Sequence, residues 1–283
     1  MNVMSNAKKA GLFALYLLFA ILFSLFFMVP LWQIFVGAFS TLPDILGGFR
    51  IVPRQVAWNW PRLLEVAIHP SLPRMFWNTI FYSMAAVPCI FFSSLAAFGL
   101  ARFRAPGLGL VFGVILSTLM LPFTITMIPR FMMFSSYGWL NTAWVFYIPQ
   151  LSGHAMMIFL LRQFMRNIPK ELDDAAKVDG AGYWRLYWSI IMPISKPALA
   201  TTFIFTFIGA WNDFMGPLLF LSTNDKFPLS LGIVTLRHTM GNYIIEWNVI
   251  LLAVLIATLP LLGVFFFFQR YIIKGVVMSG IKG

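Results

Sequence analysis

Long apolar runs alternate with short charged segments along this chain of 283 residues. In chain order, the apolar runs cover residues 11–39, 75–101, 105–129, 131–161, 196–221 and 247–269. The fourth run is interrupted by the polar sequence SSYGWLNT, so its membrane span is placed after Asn141. A helix needs about 20 residues to cross the roughly 30 Å of hydrocarbon in a bilayer, and each run supplies them. We therefore predict an all-α membrane protein with about six transmembrane helices.

The first apolar run has two interpretations, a membrane anchor or a cleavable signal peptide. Lys8 and Lys9 precede it, as basic residues precede the apolar part of a signal peptide. Its uncharged length greatly exceeds the roughly 7–15 apolar residues that a signal peptide contains. We therefore expect an uncleaved transmembrane helix.

The composition favours a membrane protein over the other classes that a basic chain suggests. Hydrophobic residues make up 60% and charged residues 10% of the chain, whereas soluble domains carry about 25% charged residues. The net charge of +11 does not indicate nucleic-acid binding, because the basic residues lie in the short gaps between apolar runs. Cys89 is the single cysteine, and the three histidines are far apart. We expect membrane lipid as the main solvent, no internal disulfide and no metal site.

The distribution of Lys and Arg predicts the orientation of the spans. With the N-terminus inside, the inner segments hold Lys8, Lys9, Arg102, Arg104, Arg162, Arg166, Lys170, Lys177, Arg185, Lys196, Arg270, Lys274 and Lys282. The outer segments hold Arg50, Arg54, Arg62, Arg74, Arg130, Lys226 and Arg237. Cytoplasmic segments carry an excess of Lys and Arg. We therefore predict that both termini are cytoplasmic, which also places residues 162–195 in the cytoplasm.

Residues 162–195 have the pattern of two short helices joined by a glycine turn. The first helix begins near Pro169, and its first turn carries the acids Glu171, Asp173 and Asp174, which the positive end of the helix dipole favours. Glycines at 180 and 182 interrupt it, and a second helix covers residues 183–192. On the first helix we expect an ion pair between Asp173 and Lys177 at the i, i+4 spacing.

The first helix of this segment also has a small apolar face, formed by Leu172, Ala175 and Ala176. Alanines on such a face allow another surface to approach closely. Residue types alone leave two interpretations equally open. The segment is either an interfacial hairpin that links two spans or a surface that meets a partner.

The sequence DAAKVDG followed by IIMP resembles the EAA loop of permease subunits of binding-protein-dependent ABC importers. The family pattern is E-A-A, three residues, G, nine residues and then I-x-L-P. The matching positions are Asp174, Ala175, Ala176, Gly180, Ile190, Met192 and Pro193. Asp174 stands in place of Glu and Met192 in place of Leu. The runs IPKELDDAAKVDGA, WNDF, QRYIIKGVVMSGIKG and ARFRAPG are similar to the carbohydrate, or maltose-type, subgroup.

This resemblance implies one ABC importer transmembrane domain over residues 1–283, in a bacterial inner membrane with several spans. The loop would be a coupling hairpin between spans four and five, with contact residues Glu171, Asp174, Ala175, Ala176, Gly180 and Gly182. The implied partners are a second, paralogous permease subunit, two copies of a cytoplasmic P-loop ATPase and an extracytoplasmic solute-binding protein. The solute would be a carbohydrate, and this chain would not be an enzyme. It contains no G-x-x-x-x-G-K-[ST] sequence, so we expect ATP and Mg²⁺ to bind to the partner ATPase and no cofactor in this chain.

A candidate solute pathway lies in the fifth apolar run. Asp213 is an acid deep in this run, and it would cost about 2.5–3.5 kcal/mol at the bilayer centre if it faced lipid. Thr202, Thr206, Gly209, Asp213 and Gly216 recur at helical spacing and form one stripe. The stripe indicates either close packing against a neighbouring helix or a polar pathway. Trp211 and Asn212 are residue types that can stack on a sugar and hydrogen-bond to it.

Other functions and other polar residues are weaker candidates. His154, near Gln150, is expected to make an interhelical hydrogen bond rather than a solute contact. A self-sufficient secondary transporter is the main alternative function, but it would usually have more spans and several intramembrane ionisable groups. A membrane-embedded enzyme is disfavoured because no catalytic constellation can be read from residue spacing.

Overall fold

The structure, a computed structural model, describes residues 6–67, 72–239 and 246–280. Every regular element within these ranges is helical. The chain divides into two compact units. The first contains Met1–His69 and Thr235–Thr258, and the second contains Pro70–Val234 and Leu259–Gly283.

The first unit is built around the end of a long apolar helix. It contains α1 (Asn6–Ala38), α2 (Leu42–Leu46), α3 (Trp60–Ala67) and the first residues of the last helix of the chain. The side-chain amide of Asn59 donates hydrogen bonds to the carbonyl oxygens of Ala38 (2.7 Å) and Ser40 (3.1 Å), which α1 leaves unpaired at its end. Arg62 and Glu246 form an ion pair of 2.9 Å. By contrast, none of the apolar window of α1 is buried, as expected of a helix surrounded by lipid.

The second unit contains most of the helices. They are α4 (Leu72–Ser83), α5 (Ala86–Arg102), α6 (Leu108–Ser117), α7 (Phe123–Ser136), α8 (Trp144–Tyr147), α9 (Ala155–Arg166), α10 (Glu171–Val178), α11 (Tyr183–Leu186), α12 (Met192–Ile194), α13 (Lys196–Trp211) and α14 (Met215–Phe220). Helices α15 (Leu229–Thr239) and α16 (Trp247–Gly280) contribute residues to both units. Short 3-10 turns occur at Thr118–Met120, Ile148–Ser152 and Asn224–Lys226, and a π-helical turn occurs at Tyr187–Ile191.

The helices agree with the predicted membrane spans in number. Four stretches within the described residues are long and apolar enough to cross a bilayer, and the number rises to six if each of two bent helix pairs counts as one span. The four are Gly11–Ala38, Leu72–Arg102, Trp144–Arg166 and Trp247–Arg270. The prediction of an all-helical membrane protein is therefore confirmed, with six as the upper count.

Two of the predicted spans are not continuous helices. In the run 105–129, the helical segments Leu108–Met120 and Phe123–Ser136 meet at 98°. The bend occurs at Leu121 and Pro122, which are both extended, because a proline disfavours helical geometry at the residue before it and then suits a helix start. In the run 196–221, α13 ends at Trp211 and α14 begins at Met215. The 16 residues of α13 cover only about 24 Å.

The core of the second unit forms where α5 packs against α9 and the segments that follow it. Ala97 of α5 and Leu161 of α9 are fully buried, together with Tyr187 and Ile191. Small side chains on α5 allow this close approach. The Arg162 side chain of α9 donates a hydrogen bond to the carbonyl oxygen of Leu100 (3.2 Å), near the C-terminal end of α5.

Candidate functional site

Residues 171–194, called the hairpin below, fold as two helical arms around a glycine turn. The first arm is α10 and the second is the continuous run of α11, the π turn and α12. The N–H of Ala181 donates to the carbonyl of Ala176 (2.8 Å), and that of Gly180 donates to the carbonyl of Lys177 (3.0 Å). This is the hydrogen-bond pattern of a Schellman turn, in which Gly180 takes the required positive φ of 73°. The predicted pair of helices and the turn between them are therefore present.

The first arm has one side against the protein and one side exposed. Asp173 and Ala176 are buried, and Ala176 belongs to the core beside α5 and α9. The other residues predicted for partner contact are exposed: Glu171, Asp174, Ala175, Gly180 and Gly182. The predicted apolar face is thus divided, because Ala176 points inward while Leu172 and Ala175 point outward. Val178, which the sequence did not single out, is 87% exposed at the end of α10.

The predicted ion pair between Asp173 and Lys177 is wrong. Lys177 instead lies 3.5 Å from Asp174, and both of these side chains are largely exposed. Asp173 faces α5, where its Oδ2 lies 3.5 Å from Nη1 of Arg102, and the Arg102 side chain is only 2% exposed. Arg102 also donates a hydrogen bond to the carbonyl of Ile168 (3.1 Å). The i, i+4 rule considers neighbours on one helix only, whereas tertiary packing gives Asp173 a buried partner from another helix.

The second arm is attached to the same helix by a tyrosine. The hydroxyls of Tyr187 and Ser94 are 2.6 Å apart, and both residues are fully buried. The Tyr187 ring also contacts the ring of Phe98, with 5.2 Å between their centroids. Tyr187 begins the π-helical turn, a rare form that occurs mostly as single turns and frequently at functional sites.

A cavity of about 380 Å³ lies among α4, α5, α7, α9, α13 and α14. Four residues of the predicted stripe line it, namely Thr206, Gly209, Asp213 and Gly216. The carboxylate of Asp213 accepts a hydrogen bond from the N–H of Gly216 (3.0 Å), at the first turn of α14. A Cβ on Gly216 would overlap that carboxylate. The stripe therefore forms a cavity wall in which Asp213 is held by the start of the next helix.

The other predicted pathway residues do not line this cavity. Thr202 is buried, and its hydroxyl bonds to carbonyl oxygens of its own helix. Trp211 is 4% exposed and its ring lies between those of Phe76 (6.0 Å) and Phe207 (5.6 Å). Asn212 is exposed, and its amide donates to the carbonyl of Ile208 (3.0 Å). The break after α13 places these side chains elsewhere than a straight helix would.

The cavity also contains polar residues that the sequence did not indicate as a group. Arg130, Gln150 and His154 line it, and within the described residues no hydrogen bond or ion pair of the Arg130 guanidinium is found. The backbone N–H of His154 donates to the Ser93 hydroxyl (2.9 Å), whereas the interhelical bond was expected from its side chain. The only sequence signal was weak, a single arginine between two uncharged runs. Their convergence depends on the bend at Pro122, which hydropathy cannot detect.

The chain matches known transport proteins over almost its whole length. The family model described as binding-protein-dependent transport system inner membrane component matches residues 3–278. The lactose transport system permease protein LacG of Rhizobium radiobacter is 35% identical over 74% of this chain and 76% of its own. The trehalose/maltose transport system permease protein MalG of Thermococcus litoralis is 30% identical over 93% and 95% of the two chains.

A solved structure supports the fold independently. A chain of a bacterial ABC transporter involved in the import of the acidic polysaccharide alginate has a TM-score of 0.79, at 23% identity, over 96% of this chain and 99% of that one. The resemblance inferred from the EAA-like residues and the match over residues 3–278 agree. The chain therefore belongs to the family of inner membrane components of binding-protein-dependent transport systems.

Proposed function

We propose that this permease subunit forms half of the pathway of an ATP-driven carbohydrate importer and is coupled to its ATPase through the hairpin. The observation that carries the proposal is the division of α10 into a buried and an exposed side. Ala176 is packed into the core, while Leu172, Ala175 and Val178 are exposed together with the acids of the first turn. Exposed apolar residues bordered by charges are typical of a surface that a soluble partner covers.

The proposed assembly follows from the family. The whole chain acts as one transmembrane domain with both termini in the cytoplasm, in agreement with the distribution of Lys and Arg. It pairs with a second permease, a paralogue, and with two copies of a P-loop ATPase that bind ATP and Mg²⁺ and carry out hydrolysis. A solute-binding protein delivers the solute from the opposite side of the membrane.

The proposed solute is a carbohydrate. Relatives named for the transport of lactose, arabinooligosaccharides and trehalose or maltose support this class. The cavity adds a chemical reason, because Arg130, Gln150 and His154 present polar groups beside the apolar rings of Phe123 and Phe146. Sugars bind through hydroxyls that need donors and acceptors and through apolar faces that pack on rings.

Cross-linking to the ATPase tests the coupling role. In a Cys89→Ser background, Ala175→Cys should form a cross-link to a cysteine placed in the co-expressed ATPase, because residue 175 is on the exposed side of α10. Adding ATP should change the yield of the cross-link. The measurement is the cross-linked fraction in membranes that contain the full transporter.

The neighbouring alanine provides a matched control. Ala176→Cys differs by one position but lies on the buried side, at 4% exposure, and should not cross-link. Equal cross-linking at both positions would mean that proximity, not a defined contact, is being measured. Failure at Ala175→Cys in an active transporter would remove the proposed docking surface.

A further inference from the structure

Helix α5 connects the hairpin to the cavity. Its first residue, Ala86, lines the cavity, and its last residue, Arg102, contacts the hairpin. The 17 residues between these ends cover about 25 Å. Near the cavity, the hydroxyl of Ser93 accepts a hydrogen bond from the N–H of His154, which is itself a cavity residue. One continuous helix therefore touches both parts of the candidate site.

Three residues of α5 at successive i+4 positions contact the hairpin. Ser94 bonds to the Tyr187 hydroxyl at 2.6 Å, the Phe98 ring contacts the Tyr187 ring, and Arg102 pairs with Asp173 at 3.5 Å. Residues four apart lie above one another on one face of a helix. A single face of α5 thus holds one arm of the hairpin through Asp173 and the other arm through Tyr187.

Both polar contacts are shielded from solvent. The side chain of Arg102 is 2% exposed, that of Asp173 is 11% exposed, and Ser94 and Tyr187 are fully buried. Breaking a buried hydrogen bond or ion pair leaves polar groups without partners in a low-dielectric environment, which is unfavourable. The two arms are therefore expected to move with α5 rather than slide along it.

The covalent connection to the next span is less direct. The second arm, Tyr183–Ile194, joins α13, Lys196–Trp211, at an angle of 77°. A displacement along the axis of this arm is consequently not directed along α13. The buried contacts with α5 provide the direct mechanical connection from the hairpin to the cavity wall.

We propose that α5 carries movement of the hairpin to the cavity, and that Arg102 and Tyr187 are the positioning residues that fasten the hairpin to this helix. This inference rests on the proposed coupling function. Neither residue contacts the ATPase or the solute in this mechanism. Their role is to ensure that a displacement of the hairpin displaces α5.

The test measures coupling in the complete transporter, reconstituted in vesicles with its ATPase and binding protein. Arg102→Gln should lower the number of solute molecules transported per ATP about tenfold, since hydrogen bonds to charged groups contribute at that level. Tyr187→Phe, which removes one hydroxyl and keeps the ring, should lower it about fivefold. Arg102→Gln combined with Asp173→Asn should be no worse than Arg102→Gln alone, because the two residues act as a pair.

Two further variants separate positioning from folding. Arg104→Gln, two residues beyond the pair at an exposed position, should leave the ratio unchanged. Arg102→Lys keeps the charge and should recover part of the coupling. In all of these variants, Ala175→Cys should still cross-link to the ATPase, because the hairpin remains folded and docked.

The outcomes distinguish this inference from the proposed function. Without a cross-link from Ala175→Cys in the otherwise unmodified transporter, the docking role of the hairpin itself fails. If that cross-link forms but Arg102→Gln and Tyr187→Phe both keep the ratio of transport to hydrolysis, α5 is not the connection. Loss of the cross-link in parallel with loss of transport would also overturn the inference, since the residues would then only keep the hairpin folded.

Discussion

Helices α7 and α10 end in the same hydrogen-bonded turn but in different surroundings. After α7, Gly138 has φ 67° and donates to Ser135 (3.0 Å), while Trp139 donates to Phe134 (2.9 Å). After α10, Gly180 has φ 73° and makes the equivalent bonds. Both are Schellman turns, so the backbone alone does not distinguish the cavity side of the unit from the hairpin.

The residues after each turn make the difference. Trp139 packs on Phe134, with 5.8 Å between the ring centroids. Asn141 then accepts hydrogen bonds from Ser222 (3.2 Å) and Thr223 (3.1 Å), so this turn is satisfied by its own chain. The residues around Gly180 are exposed and charged, and Val178 is 87% exposed. The comparison teaches that a turn complete in itself is structural, whereas a turn with uncovered neighbours indicates a missing partner.

The largest effect is expected from proline in the hairpin turn. Gly180→Pro fixes φ near −65°, opposite in sign to the observed angle, and removes the N–H that bonds to Lys177. The membrane spans do not depend on this turn, so insertion should persist. Solute-stimulated ATP hydrolysis and uptake should both be lost, as measured in vesicles containing the whole transporter.

Gly138→Pro is the matched control, because it breaks the same two hydrogen bonds. It should lower the yield and melting temperature of the purified chain, since Trp139 and Phe134 would lose their packing. The folded fraction should still bind the ATPase. If Gly138→Pro releases the ATPase and Gly180→Pro does not, the assignment of the two turns is reversed.

The sequence predicts the hairpin better than the cavity, and the reason is physical. The hairpin is specified locally, by the acids at Glu171 and Asp174 and by Gly180, so spacing alone indicates its helices and turn. The cavity requires bends at Pro122 and after Trp211, and hydropathy registers apolar character but not direction. Its stripe was correctly grouped at Thr206 and Asp213, whereas the lining by Arg130 and the pairing of Asp173 with Arg102 arise only from tertiary packing.

A smaller effect is expected in the cavity wall itself. Gly216→Ala should push the Asp213 carboxylate from its place, at a cost of roughly 1–3 kcal/mol for overpacking, and should lower uptake. Gly209→Ala, in the same wall, meets no atom within 4 Å and should keep or raise the melting temperature, because alanine favours a helix. A larger loss of stability from Gly209→Ala would show that Asp213 is not held as described.

The smallest effect tests whether the two turns are locally equivalent. Gly138→Ala and Gly180→Ala each add a Cβ that meets nothing within 4 Å, so only the positive φ opposes them. Each should cost about 1–2 kcal/mol, and the two shifts in melting temperature should be similar. A clearly larger shift at Gly180 in the isolated chain would contradict the view that the hairpin turn needs no contact beyond its own helix.

The π turn at Tyr187–Ile191 gives the second arm an extra residue of length. A π turn contains about one residue more than an α turn, so converting it to α geometry would rotate the helix on one side of it by about 100° relative to the other. Tyr187 is fastened to Ser94, so such a rotation would fall on the side of α12 and α13. The arm thus contains a register reserve, which would let the fifth span twist about its own axis while the hairpin stays seated.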